Sequence, residues 1–247
     1  MSDIFVISKF LTVPHGFSTR HGGVSEGPFS SLNLGGNVGD TPEAVAANFT
    51  ALAAAAGLPV DRLFTMSQVH GDGVLKVEGA PRGPGIPEGE ADALWTESQR
   101  AWLGVKTADC VPILIQDAGG TRVAAVHSGW KGTVAEIVRR VVERLVCEGA
   151  EASGLRAAVG PSIQVCCYEV SAELAERFER QFGPGVVKGR KLDLTRAVRA
   201  TLEAAGVPAE NIDVLPRCTA CEPGDFFSHR RDGGRTGRHL SFISTRS

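Results

Sequence analysis

The stretch VKTADCVPILIQDAGGTRVAAVHSGWKGT, residues 105–133, decides the fold. VPILIQD and RVAAVHSG are apolar runs bounded by turn residues, each of strand length and too short for a buried helix. Asp109-Cys110 opens the first run, and His127 closes the second just ahead of Gly-Trp-Lys-Gly. Pro112 has no N–H to donate, so the ladder is expected to break or bulge there. After the turn, Thr133-Val-Ala-Glu136 reads as a capping box, and AEIVRRVVERLVCEG carries apolar residues at helical spacing up to Gly149. Strand, turn and helix are all legible in this one segment.

The pattern extends in both directions. Thr41-Pro42-Glu43 combines an N-cap hydroxyl, a proline at the first helical position and an early acid, so EAVAANFTALAAAAG is predicted helical until Gly57. DRLFTMSQVHGDGVLKVEG reads as two short strands around Gly71-Asp72-Gly73, with His70 at the strand end or turn. APRGPGIPEGEAD has the Pro/Gly density of a surface loop. DALWTE, AWLGVKTADC, LRAAVGPSI and IDVLPR are further strands; helices are expected from Ser171 and from an Asp193 cap. No repeat and no clear linker divides the chain. The expectation is one α+β domain over residues 1–247, with helices packed on mixed sheets.

Composition narrows the class. The 247 residues are 43% hydrophobic, enough for a full core, and the formal net charge of -2 comes from interspersed charges. Nothing suggests a polyelectrolyte or membrane-surface partner, so small-molecule chemistry is the default. The N-terminal MSDIFVISKF lacks the plan of a secretory signal and no run approaches 18 apolar residues, so the cytoplasm is the expected location. Six cysteines there read as reduced thiols, metal ligands or a nucleophile rather than disulfides.

His70, Cys110 and His127 each stand at a strand end beside a glycine or proline. Strand ends of a layered sheet can converge on one mouth. Two imidazoles and a thiolate suit Zn²⁺ or copper and leave a coordination position open, which is a catalytic arrangement. The same three residues also read as a metal-free Cys-His nucleophile with Asp109 or the second histidine as orienter. Spacing does not separate the two. Taken singly, a buried cysteine or histidine is more often plain core.

The motifs SQVHG, TADCVPIL, AAVHSGWKGT and VGPSIQVCCYEV, with FSTRHGGVS upstream and FFSHRRDGGRTGRH downstream, run in order from Gly16 to His239. This set resembles the laccase-domain proteins, the bacterial YfiH-like family of purine nucleoside phosphorylases, also known as polyphenol oxidases. The resemblance implies a four-layer α/β/β/α fold and a metal site of His70, Cys110 and His127, with zinc the expected ion and copper the alternative. It implies phosphorolysis of adenosine, inosine and methylthioadenosine, deamination of adenosine, and copper-linked phenol oxidation. Some members are instead described as peptidoglycan editing factors.

Phosphorolysis needs an anion site, for which Arg20, Arg230, Arg231 and Lys131 are the candidates, since a guanidinium fork fits phosphate. Lys131 stands where a helix starts and Trp130 reads as a pocket wall or core anchor. The glycines of SSLNLGGNVGD either approach a ligand or supply positive φ. Six histidines are too few for a multicopper centre. Cys166-Cys167 and Cys218-x-x-Cys221 invite a second zinc site, but adjacent cysteines rarely share an ion without strain, so packing or redox sensitivity is the preferred reading of Cys166-Cys167, and Cys218-x-x-Cys221 is left open.

The expected function is therefore a metal-dependent enzyme on purine nucleosides, with His70, Cys110 and His127 as catalytic metal ligands and Arg20, Arg230 and Lys131 binding substrate. The alternatives are a metal-free cysteine hydrolase acting on an amide of a peptidoglycan precursor, and a zinc-binding interaction module. Purine preference, proton shuttle and oligomeric state are not legible.

Overall fold

Alternation along the central strands sets the layering. Odd positions Val111, Ile113 and Ile115 pack with helices, whereas Leu114 packs with a second sheet; Ala124 and Val126 separate in the same way from Val123 and Ala125. Successive side chains of a strand point to opposite faces, so a run apolar on both faces must be covered on both. The computed structural model describes residues 3–83 and 86–246, so Pro84 and Gly85 of the Pro/Gly-rich loop lie outside the described residues.

The strands are β1 (Phe5–Val6), β2 (His15–Ser18), β3 (Leu63–Phe64), β4 (Val74–Lys76), β5 (Ala93–Thr96), β6 (Trp102–Thr107) and β7 (Val111–Gln116). They continue with β8 (Val123–Ser128), β9 (Arg156–Val159), β10 (Val187–Lys188), β11 (Lys191–Leu192), β12 (Ile212–Val214) and β13 (His239–Ser244). The helices are α1 (Pro42–Ala56), α2 (Trp130–Val134), α3 (Ile137–Cys147), α4 (Ala172–Phe182) and α5 (Leu194–Ala204). One sheet has the order β1-β2-β13-β6-β3, the other β12-β9-β7-β8-β5-β4, and β10-β11 form a hairpin. Both large sheets mix parallel and antiparallel pairs.

The two sheets face each other through Phe17, Leu103, Val105 and Ile243 on one side and Leu94, Leu114, Ala125 and Ala158 on the other. The outer face of the larger sheet packs on α3, α4 and α5 through Val141, Leu145, Phe178, Val198 and Leu202. Leu52 of α1 meets Leu63, Trp102, Leu240 and Phe242 on the outer face of the smaller sheet. The α+β expectation and its α/β/β/α layering therefore describe the molecule.

Local signals hold at three helix starts: Thr41, Ser171 and Asp193 accept from the backbone N–H of Ala44, Leu174 and Arg196. Two expectations change. Pro112 causes no bulge, because β7 pairs with β8 in unbroken register from Val111↔Ser128 to Gln116↔Val123. Its carbonyl accepts from Gly160 N on the β9 side, where the ladder has already ended, so no donor is required there. The capping box is also absent. Thr133 turns its hydroxyl back to the Gly129 carbonyl, and Glu136, with φ 55, is a left-handed joint between α2 and α3.

The smaller sheet holds two buried histidines as neutral rings. His15 Nε2 accepts from Ser8 N, and His239 Nε2 accepts from Phe227 N at 3.0 Å. Burial lowers the pKa of both, and that of His239 falls to about 3, with nearby arginines adding to the effect. Unfolded, each ring takes a proton below about pH 6.5. The unfolded chain then binds more protons, so stability is fully present above that pH and is lost as pH falls toward 3. Urea unfolding between pH 7 and 4.5 should show the midpoint falling, by up to about 1.4 kcal/mol of stability per pH unit for each proton taken up. His239→Gln, which keeps an acceptor for Phe227 N, should flatten that slope; an unchanged slope would exclude His239 as a source.

Candidate metal centre and its cavity

His127 is the last but one residue of β8, Cys110 immediately precedes β7, and the Pro112↔His127 pairing sets them side by side. His70 comes from the link between β3 and β4, which belong to different sheets. One ligand atom from each of His70, Cys110 and His127 lies within 4.8 Å of the others, and the two rings meet edge-on at 4.8 Å between centroids. Gly129, the N-cap of α2, closes the group from above. A Cβ there would stand 3.1 Å from Cys110 Sγ and 3.4 Å from His70 Cδ2, so a side chain would crowd both.

Asp92, fully buried just before β5, organises the three. Its carboxylate accepts from His127 Nδ1 at 2.7 Å and from the backbone N–H of Val69, His70 and Gly71 at 3.2, 3.0 and 2.6 Å. These bonds hold His70 at φ 58, in the left-handed region. They also place the His127 proton on Nδ1, so Nε2 is the nitrogen left for Cys110 and His70. Burial works against charge on Asp92, but the hydrogen bonds from His127, Gly71 and His70 outweigh it and keep the carboxyl below the ordinary range. Burial likewise opposes a thiolate at Cys110, yet the charge and hydrogen bonds of His127 and His70 draw its pKa down, and the partnered His127 is drawn up.

The donor set fits a metal ion. Two imidazoles and a thiolate converge, one ring has its tautomer fixed by a carboxylate behind it, and His70 is exposed to a cavity of about 790 Å³. Arg230, Lys106, Arg238, His229 and Tyr168 line the walls. Arg230 lies over the Tyr168 ring at 5.0 Å and donates to the Glu169 carbonyl. Gly35 and Gly36 form another wall, and neither has positive φ. At Gly35 the reason for glycine is close approach, since a Cβ would lie 2.7 Å from the Arg238 side chain.

Comparison with known proteins places this geometry. The family described as multi-copper polyphenol oxidoreductase laccase matches residues 14–246. The chain belongs to this laccase family. It is 44% identical to a purine nucleoside phosphorylase of Deinococcus radiodurans, covering 94% of this chain and 89% of that one. It is 39% identical to adenosine deaminase RL5 from an unknown prokaryotic organism, covering 92% of each. The crystal structure of YlmD from Geobacillus stearothermophilus matches with a TM-score of 0.89, 35% identity and full coverage of both chains. Like these laccase-family relatives, the chain is an enzyme.

The structure distributes the other sequence candidates. Arg230 reaches the cavity and Asp109 stands beside it, but Asp109 does not orient an imidazole: its carboxylate accepts from Thr219 Oγ1 and Arg230 N. Arg20 lines a different cavity, of about 520 Å³, with Arg231 and Asp232. There its guanidinium donates to the carbonyls of Ser30 and Pro223 and lies over Phe227. Arg231 donates to Asp232 and to the Thr219 and Phe226 carbonyls. Lys131 is exposed, with Nζ 5.7 Å from the Trp130 ring, and is not among the cavity walls.

Sequence reasoning does not find Asp92, nor Lys106, Tyr168, His229 and Arg238. The signal for Asp92 is an acid at the start of the apolar run DALW, where a charge needs a partner. Asp92→Asn should weaken zinc binding by about 10- to 100-fold, since carboxylate partners of ligand histidines have effects of that size. Competition with a chromogenic chelator measures it, and unchanged affinity would leave Asp92 a purely structural residue.

Proposed function

We propose that this chain is a metal-dependent purine nucleoside enzyme. Its reactions would be phosphorolysis of adenosine, inosine and methylthioadenosine to free base and (methylthio)ribose 1-phosphate, and deamination of adenosine. The observation that carries this reading is the convergence of His70, Cys110 and His127 on one cavity whose walls also bring Arg230, Lys106 and Arg238. The names of the phosphorylase and deaminase relatives supply the substrate class.

His70, Cys110 and His127 would hold zinc, which supplies Lewis-acid polarisation of an oxygen when bound. The protein's own groups do the rest. Arg230 and Lys106 place the phosphate dianion by charge and hydrogen bonding, in a setting where burial lowers the Lys106 pKa. Tyr168 gives a flat wall for a base or sugar, and burial pushes its phenol up to about 12, keeping it neutral. In phosphorolysis a phosphate oxygen bonds to the sugar C1′ as its bond to the purine nitrogen breaks. In deamination water adds at the amino-bearing carbon and ammonia leaves.

Copper suits a His₂Cys set as well, but a multicopper centre lacks ligands. His15 and His239 are committed to backbone hydrogen bonds inside the smaller sheet, and His21 bonds Asp225. No described helix is long and apolar enough to cross a membrane.

A second reading has its own support: Cys110, His127 and Asp92 line up as nucleophile, base and orienter, which would suit a metal-free hydrolase of an amide in a peptidoglycan precursor. His70 favours the metal reading, because such a triad leaves a second imidazole at the sulfur without a role.

Adenosine turnover with phosphate, resolving inosine from adenine, tests the proposal on metal-analysed wild type, Cys110→Ala and Arg230→Ala. Wild type with about one zinc in this centre should form either product. Cys110→Ala should lose the zinc of this centre and at least about 100-fold in activity, and Arg230→Ala should raise KM for phosphate about tenfold. Folded wild type that is active on an amide in chelator, and inert towards nucleosides, would establish the hydrolase instead.

A further inference from the structure

Outside the cavity the molecule gathers four more of its thiols into one cluster. Cys166 and Cys167 come from the turn after β9, and Cys218 and Cys221 from the turn after β12. The two segments are joined by a parallel bridge, Ser162↔Cys218, and Thr219 N donates to the Ser162 carbonyl. All four Sγ atoms lie within 4.8 Å of one another. Cys166 Sγ is 3.5 Å from Cys218 Sγ and 3.4 Å from Cys221 Sγ, and Cys167 Sγ is 3.2 Å from Cys221 Sγ. A tetrahedron of sulfurs around zinc, with Zn–S near 2.3 Å, has edges of about 3.8 Å. The adjacent cysteines, expected from the sequence to serve packing or redox sensitivity, point to the same centre.

Neither of those roles accounts for the arrangement. Cys166 and Cys221 are exposed, which core packing does not produce. A disulfide needs two sulfurs, whereas four converge here. Gln164 N points at Cys218 Sγ at 3.5 Å.

We propose that Cys166, Cys167, Cys218 and Cys221 form a second metal site, a closed four-thiolate site for structural Zn²⁺, separate from the His₂Cys centre. It joins two segments that both serve the cavity. The first carries Ile163 and Tyr168; the second leads through Thr219, bonded to Asp109, to Arg230. Lys191 donates to the Cys166 carbonyl, placing a cation beside a cluster that would carry net negative charge once metallated. The site has no open position, so its role is to fix the cavity wall rather than to react.

The test uses the full chain, expressed with zinc, as wild type, Cys110→Ala and Cys110→Ala/Cys221→Ser. Zinc content should fall from about two per chain to about one and then to near zero. In folded Cys110→Ala, Cys166 and Cys221 should resist alkylation until a chelator is added, while exposed Cys147 reacts throughout. This readout needs no cluster variant to fold. If Cys110→Ala carries no zinc, and Cys166 and Cys221 alkylate as fast as Cys147 in its presence, the proposal is wrong; a disulfide among the four in reduced preparations overturns it equally. Equal single-zinc content in wild type and Cys110→Ala would count against the His₂Cys centre and leave the four-thiolate site standing.

Discussion

The Asp92 carboxylate is the interaction on which the rest of the centre depends. A buried charge of this kind survives only when surrounded by donors, and Asp92 has four: three successive backbone N–H groups at residues 69–71 and the His127 ring. The loop supplying three of them delivers His70, and the ring supplying the fourth is its neighbour in the trio, His127. One side chain thus fixes a backbone conformation and a tautomer together. Its own placement follows from β5, which pairs with β8 so that Ala93 lies opposite Val126, one residue from His127.

Asp109 does for the opposite wall what Asp92 does for His70 and His127. Held at φ 87, it receives Thr219 and Arg230 from a segment more than a hundred residues away, and its carbonyl accepts from Ile163 N. Two left-handed residues, His70 and Asp109, therefore flank the cavity, each maintained by a carboxylate network. Non-glycine residues in that region usually persist only where surrounding structure over-determines them, and they gather at functional sites.

Much of the larger sheet was legible because its strands are continuous apolar runs with turn residues on either side, and α1, α4 and α5 because their caps are standard. The smaller sheet was less so. HGFS and HLSFIS, which become β2 and β13, mix polar residues into short segments, and only the long-range pairing of β13 with β6 makes them strands. The convergence of His70, Cys110 and His127 was readable from strand-end context and motif order. Asp92 was not, since its four partners are 21 to 35 residues distant and none announces itself locally. Arg20 and Lys131 illustrate the reverse: residue type suited an anion, but backbone carbonyls and a tryptophan ring hold them elsewhere.

His70 lies on the chain's passage from β3 in one sheet to β4 in the other, whereas Cys110 and His127 stand on neighbouring strands of a single sheet. His70 is nonetheless tied to the larger sheet, because Asp92, just before β5, holds the backbone of residues 69–71. The larger sheet and the links that lead into it therefore gather the three residues, and the β5-β8-β7 pairing is the step on which their convergence waits. The smaller sheet supplies a wall instead, through Lys106 and Thr107 at the end of β6, so its docking turns an open face that already carries the trio into an enclosed cavity.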